Sequence, residues 1–314
     1  MSFTGTKESL KARIFDVQGL SVHDGPGCRT LIFMQGCSLN CIWCSNPEGI
    51  SLNSSLLYFA DNCRLDGNCV KDCEFDAISI ENDKLIIDRR LCEKCLSFNC
   101  INNCYTKALR KSSEEYSVEK LLKIVQRDRQ YWGHDGGISL SGGEPLLNID
   151  FVEEFLKQCY NSYIHTAIET CANVPWSYFE RTMAFLDWIF IDIKHLDTNI
   201  HRGLTGAGNE LILSNLKRLA KEFKGRIIVR IPLIPAVNDG LDNVQDYIKL
   251  FKENNITEVN ILPLHHYGRE KYKLLQKDYL MTDLNSQKDE QLKEIQKAYS
   301  MAGIKCYSGS ITPF

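Results

Sequence analysis

Ten of the 14 cysteines lie in two short stretches: three in Cys37-Ser-Leu-Asn-Cys41-Ile-Trp-Cys44, and seven between Cys63 and Cys104. The other four, Cys28, Cys159, Cys171 and Cys306, are scattered and read as small buried hydrophobes. Fourteen cysteines in 314 residues are too few for a disulfide scaffold. The opening MSFTGTKESLKAR has no apolar core, which predicts no secretory signal and a cytoplasmic chain. Disulfides are rare in that reducing compartment, so clustered cysteines are better read as metal or iron–sulfur ligands.

The second stretch also differs in charge. Residues 61–104 hold six basic and nine acidic residues, which accounts for the whole formal charge of −3. A window of 44 residues is too small to be held by burial alone, and metal clusters would supply what its core lacks. We therefore expect three segments: a first part of the main domain over 1–57, a small insert over 58–108, and the remainder over 109–314. The near-neutral balance predicts neither a nucleic-acid partner nor an anionic membrane partner. The most apolar window, AFLDWIFIDI, is broken by Asp187 and Asp192, so no membrane span is expected.

Outside the insert, apolar β-branched runs alternate with helical patterns. Thr30–Met34, Gly137–Leu140, His165–Ile168, Trp188–Ile193, Arg226–Ile231 and Glu258–Leu262 suit buried parallel strands. Helical spacing runs over Ser117–Arg129, Phe151–Tyr160, Glu210–Phe223, Asn243–Asn254 and Gln287–Ala302. Repeated βα units predict an α/β fold with a parallel sheet, open or curved, with about six units where a closed barrel has eight. Ligand chemistry is then expected at the C-terminal ends of the strands.

Cys37-x3-Cys41-x2-Cys44 directly follows such a strand. Three thiolates on one loop hold three corners of a four-iron cube, where four cysteines are the usual set, and one iron is left open. Zinc is the alternative, with His23 as the nearby fourth ligand. The neighbouring residues narrow the choice. Ser21-Val22-His23-Asp24-Gly25-Pro26-Gly27, Arg29-Thr30, Gly36-Cys37 and Trp43-Cys44-Ser45-Asn46-Pro47-Glu48 resemble the opening of radical S-adenosylmethionine (SAM) enzymes that activate glycyl radical enzymes. The resemblance runs over nearly the whole chain. It implies a partial (β/α)6 radical SAM barrel with an inserted ferredoxin-like domain.

The resemblance also implies a chemistry. A site-differentiated [4Fe–4S] cluster on Cys37, Cys41 and Cys44 passes one electron to SAM. The 5′-deoxyadenosyl radical so formed takes a hydrogen from a glycine of a partner enzyme, under anaerobic conditions. Trp43, Cys44 and Ser45 would lie against the cofactor. Ser141-Gly142-Gly143-Glu144-Pro145 follows a strand; its glycines allow close backbone approach, and Glu144 would meet an ammonium group. In the resembled family this segment grips the SAM amino group. Glu169-Thr170 and Asp192-Ile193-Lys194 end two strands and match positions beside the SAM carboxylate. Carboxylates there hold a monovalent cation in some members, and Lys194 is placed to orient SAM or the incoming glycine. Arg230 ends another strand, and His265 matches a segment near the SAM ribose. His266 is read as structural.

In the insert, Cys63-x5-Cys69-x3-Cys73 precedes Cys92-x2-Cys95-x4-Cys100-x3-Cys104. In two-cluster ferredoxins the fourth cysteine of each run ligates the other cluster. That pattern assigns Cys63, Cys69 and Cys104 to one auxiliary [4Fe–4S] cluster, and Cys73, Cys92, Cys95 and Cys100 to a second. One ligand is missing from eight; Asp66, Asp61 or a water would supply it, or the first cluster is labile or absent. Zinc is again the alternative. The runs Ile14–Gln18, Cys92–Cys100, Asn102–Tyr105, Ala167–Thr170, Phe190–His195 and Ile311–Phe314 look most like activators of 4-hydroxyphenylacetate and related arylacetate decarboxylases. Glycerol, choline and benzylsuccinate systems have similar activators. A flavodoxin- or ferredoxin-type protein would supply the electron. Two other readings stand: a radical SAM enzyme acting on a small molecule, and a ferredoxin-like carrier or zinc-stapled binding module.

Overall fold

The computed structural model describes residues 10–309. The opening residues 1–9 and the run Ile311–Phe314, both used above, lie outside the described residues.

The chain starts with β1 (Lys11–Ser21) and β2 (Arg29–Met34). The insert follows: β3 (Leu56–Tyr58), α1 (Asn68–Lys71), β4 (Ile78–Glu81), β5 (Lys84–Ile87), α2 (Arg89–Cys92) and β6 (Leu109–Lys111). Next come β7 (Glu114–Ser117), α3 (Val118–Asp128), β8 (Gly137–Gly142), α4 (Ile149–Asn161), β9 (His165–Thr170) and α5 (Trp176–Thr182). The chain continues through β10 (Trp188–Asp192), α6 (Thr198–Thr205), α7 (Glu210–Glu222), β11 (Arg226–Leu233) and α8 (Leu241–Glu253). It ends with β12 (Glu258–Pro263), α9 (Arg269–Leu274), α10 (Asp289–Met301) and β13 (Lys305–Ser308).

One sheet has the order β13-β12-β11-β10-β9-β8-β2-β1-β7. From β13 to β2 every pairing is parallel, and β1 pairs antiparallel to both β2 and β7. All six expected strands are present, and so are the five expected helices, within two residues at each end. The runs read as strands are apolar because both faces are covered: Ile189, Phe190 and Ile191 are buried, as are Val259 and Ile261. Ser117 caps α3 by accepting from Lys120 N at 3.2 Å, and Asp197 caps α6 by accepting from Asn199 N and Ile200 N at 2.9 Å. Each such cap stabilises its helix by about 1 kcal/mol.

Three strands of this sheet were not expected: β1, β7 and β13. Each lies at or next to a sheet edge and is buried on one side at most, so none carries the continuous apolar run that marks an inner strand. The parallel run is seven strands long and open, which is a partial barrel.

The insert has its own core of Leu56, Ala77, Ile78, Leu85, Ile87, Cys92, Phe98, Cys100 and Leu109. Its neck is the antiparallel pair β3–β6, with Tyr58 opposite Leu109. Arg89 donates to Leu56 O at 2.5 Å within the insert and ties it to the main domain through Gln276 Oε1 at 3.2 Å and Leu274 O at 3.3 Å. No helix among the described residues is long and apolar enough to cross a membrane.

Candidate active site

A cavity of about 220 Å³ opens at the C-terminal ends of the parallel strands. The loop after β2 brings Cys37, Cys41, Trp43, Cys44 and Ser45 to its wall. The end of β8 adds Ser141, Gly142 and Gly143, and β9 adds Glu169 and Thr170, followed by Cys171. Asp192 and Lys194 come from the end of β10, and His265 follows β12. Residues far apart in the chain thus meet because each ends a neighbouring strand.

Backbone geometry explains the glycines. Gly142 has φ of 114°. A Cβ on Gly143 would stand 2.1 Å from Gly36 O and 2.7 Å from Gly49 O. Gly143 N donates to Met34 O at 2.9 Å, and Glu144 N donates to Gly36 O at 2.7 Å. The glycines therefore lock the β8 turn against the cysteine loop, besides opening the wall of the cavity.

The charges at the site are paired. Lys194 Nζ lies 2.9 Å from Asp192 Oδ2. Burial disfavours its charge, but Asp192 and the Cys41 thiolate outweigh burial and hold its pKa above the ordinary range. Glu169 is pushed up to about 7, chiefly by burial, although Arg230 and Ser141 act against this. Arg230 Nη1 meets Glu169 Oε1 at 2.5 Å, and Arg230 Nη2 lies 3.8 Å from Asp24. Ser141 Oγ donates to the other Glu169 oxygen at 2.6 Å. Both carboxylates near the expected cation position already face a side-chain cation.

Three predicted residues stand apart from the cavity wall. The Glu144 carboxylate is fully buried beneath it. It accepts from Leu146 N at 3.1 Å, and from Thr170 Oγ1 and Cys171 N at 2.8 Å, so it braces the wall and does not face an ammonium group. Ile193 is a core residue whose N–H donates to Arg230 O at 2.9 Å. Arg230 reaches the site only through Glu169. A side chain in the middle of such a motif reads as ligand-facing, yet the strand alternation turns it inward.

Other contributors carried no distinct sequence signal. Asn238 donates to Lys194 O at 2.9 Å and to Pro232 O at 2.8 Å, holding two strand ends together. Lys271 on α9 grips Glu48 at 2.6 Å and Asn46 at 2.7 Å, clamping the loop after Cys44. His266 is tied to Tyr279 Oη at 3.0 Å and Leu284 O at 2.9 Å. The ring of His265 stacks on Tyr267 with centroids 4.4 Å apart.

The thiols fit an iron–sulfur group. Burial pushes Cys41 up to about 12 and also raises Cys44. Coordination deprotonates such thiols outright. Backbone N–H groups already aim at the sulfurs: Leu39 N at Cys37 Sγ and Asn46 N at Cys44 Sγ, both at 3.4 Å. The same feature recurs in the insert, where Ala77 N meets Cys73 Sγ at 3.2 Å, and Phe98 N and Leu109 N meet Cys95 and Cys104 Sγ at 3.4 Å. One insert pocket is lined by Cys73, Cys92, Cys95 and Cys100, and a second by Cys63, Cys69 and Cys104. Among the described residues, no three His, Cys, Asp or Glu side chains gather closely enough for a single ion.

Residues 97–251 match the radical SAM superfamily, and residues 23–79 match a 4Fe-4S single cluster domain. The chain is 40% identical to the 4-hydroxyphenylacetate decarboxylase activating enzyme of Clostridioides difficile strain CD196, over 98% of this chain and 99% of that one. The chain belongs to the radical SAM activating enzymes of glycyl radical enzymes. This activase is also 34% identical to the indoleacetate decarboxylase activating enzyme of Tractidigestivibacter scatoligenes, over 95% of its own length and 97% of the relative's. Its fold is shared with a radical SAM methyltransferase from Sphaerobacter thermophilus, with a TM-score of 0.53 and 14% identity over 89% of this chain and 66% of that one. The activase therefore uses SAM and a [4Fe–4S] cluster.

Proposed function

We propose that this activase installs a glycyl radical on an arylacetate decarboxylase of the 4-hydroxyphenylacetate kind. The near full-length similarity to activators of two arylacetate decarboxylases supports this partner. The observation that carries the reading is the meeting of Cys37, Cys41 and Cys44 with Gly143, Asp192, Lys194 and His265 around one cavity.

Cys37, Cys41 and Cys44 would hold the cluster, and the strand-end residues would hold SAM. When bound, the two groups would supply the one-electron chemistry that takes a hydrogen from a partner glycine. The protein binds, orients and excludes water. Gly142 and Gly143 let the β8 turn meet SAM through backbone groups. The Asp192–Lys194 pair fixes an ammonium on the wall beside Cys41, where it orients a carboxylate. Ser45, Trp43 and Thr170 complete the wall, and His265 presents its ring. Glu169, held by Arg230 and Ser141, presents a fixed polar edge.

In the 58–108 insert, Cys73, Cys92, Cys95 and Cys100 would hold one auxiliary cluster, and Cys63, Cys69 and Cys104 another. These would relay an electron from a flavodoxin- or ferredoxin-type donor or dock the partner. With Asp192 and Glu169 paired to Lys194 and Arg230, a monovalent cation finds little uncompensated charge.

The test is anaerobic incubation with SAM, dithionite and the decarboxylase. 5′-Deoxyadenosine should form, and an organic radical should appear on the decarboxylase by electron paramagnetic resonance (EPR). Both should vanish in Cys41→Ala. Deoxyadenosine without a protein radical would reject this partner; its absence would reject the reading.

A further inference from the structure

The first insert run departs from a ferredoxin run at one position. Written out, it is Cys63-x2-Asp66-x2-Cys69-x3-Cys73. The bacterial run is C-x2-C-x2-C-x3-C, whose last cysteine serves the other cluster. Asp66 therefore stands where the second thiolate would be.

The structure places Asp66 accordingly. It lines the same pocket as Cys63, Cys69 and Cys104. Asp61, the other carboxylate considered, is absent from that pocket's wall. The remaining polar side chains there are Arg64, which has no acceptor, and Thr106, a neutral alcohol. Gly67, with φ of 74°, turns the chain between Asp66 and Cys69 so that both face the pocket. Asp66 Oδ1 accepts from Asn68 N at 3.1 Å, which orients the carboxylate.

We propose that Asp66 is the fourth ligand of an iron–sulfur cluster otherwise held by Cys63, Cys69 and Cys104. This rests on the reading that the insert holds iron–sulfur clusters. A carboxylate is a harder ligand than a thiolate and holds iron within a sulfide cluster less firmly. The Asp66 corner is therefore the one that loses its iron first. Removing one electron from [4Fe–4S]2+ releases that iron as Fe2+ and leaves [3Fe–4S]+ on the three cysteines.

The experiment uses the full chain with Cys37, Cys41 and Cys44 all replaced by Ala, which removes the cavity cluster and its own open corner. After anaerobic reconstitution, two insert clusters correspond to about eight irons per chain. Ferricyanide should then release about one iron per chain and give a three-iron EPR signal approaching about one spin. In the same background, Asp66→Cys should retain the iron and lower that signal at least about tenfold, because thiolates are the ordinary cluster ligands. Asp66→Asn should be isolated already in the three-iron form, and Asp61→Ala should behave as the parent. A parent-sized signal in Asp66→Cys, or an Asp61→Ala variant isolated already in the three-iron form, would overturn the assignment. So would about four irons with no three-iron signal, which leaves only the all-cysteine cluster. Zinc in place of iron would overturn the cluster reading of the insert as well.

Discussion

Gly143 and Arg230 show how single residues act through their neighbours. A methyl group at Gly143 would meet the Gly36 carbonyl at 2.1 Å. Since both contacts are backbone, the turn itself has to move. Gly143→Ala should therefore lower stability by about 1–3 kcal/mol, the usual cost of forced overpacking. It should also weaken SAM binding, read by urea unfolding and by equilibrium dialysis. Arg230 is buried against Glu169 and Asp24. Arg230→Leu strands Glu169, and breaking such a buried pair costs about 3–5 kcal/mol. The double variant Arg230→Leu/Glu169→Leu should recover most of that loss in urea unfolding. If the double variant is no more stable than the single one, the pair is not the coupled unit described here.

At the level of elements, the strands of the parallel sheet are fastened together at the end away from the cavity. Arg226 on β11 meets Glu258 on β12 at 2.5–2.8 Å, and Tyr307 on β13 lies 2.9 Å from both. Burial alone would raise the Glu258 pKa, but Arg226 and Tyr307 outweigh it and hold it below its ordinary 4.5. The unfolded chain therefore takes up this proton first as pH falls. The advantage of wild type over Glu258→Gln should be full above pH 4.5 and vanish as pH falls through the lower folded value. An advantage of about 1 kcal/mol is expected. An advantage that does not shrink as pH falls below 4.5 would contradict the assignment. The six inner strands and five main helices were legible in the chain, because burial on both strand faces or on one helix face leaves a regular apolar pattern. β1, β7 and β13 were not, since a sheet edge imposes a weaker pattern.

The whole molecule has two main cores. The large one spans the sheet and its helices, and the small one serves the insert. The small core has few residues and lies among the cysteines, so loss of the proposed insert clusters should release it first. After chelation, amides of 78–87 should exchange far faster, while those of 188–192 keep their protection. Hydrogen exchange followed by mass spectrometry checks this. Equal protection loss in both regions would mean that the insert and barrel unfold as one unit.

The sequence by itself determined the chemistry and its approximate address. The spacing of cysteines along a loop limits what that loop can bind, and strand-ending motifs point to one edge of a parallel sheet. It also determined the pairing of Cys73 with Cys92, Cys95 and Cys100 as an expectation, and the insert pockets bring those residues together. Only the tertiary structure decided which motif residues face the cavity. Glu144, Ile193 and Arg230 belong to the same strand ends as Gly143, Asp192 and Pro232, yet strand alternation and local packing send their side chains elsewhere. It also places Asp66, and not Asp61, on the wall of the pocket that Cys63, Cys69 and Cys104 line, because being near in sequence does not bring a carboxylate to a pocket. Spacing is a property of the chain, whereas direction is set by what each side chain packs against.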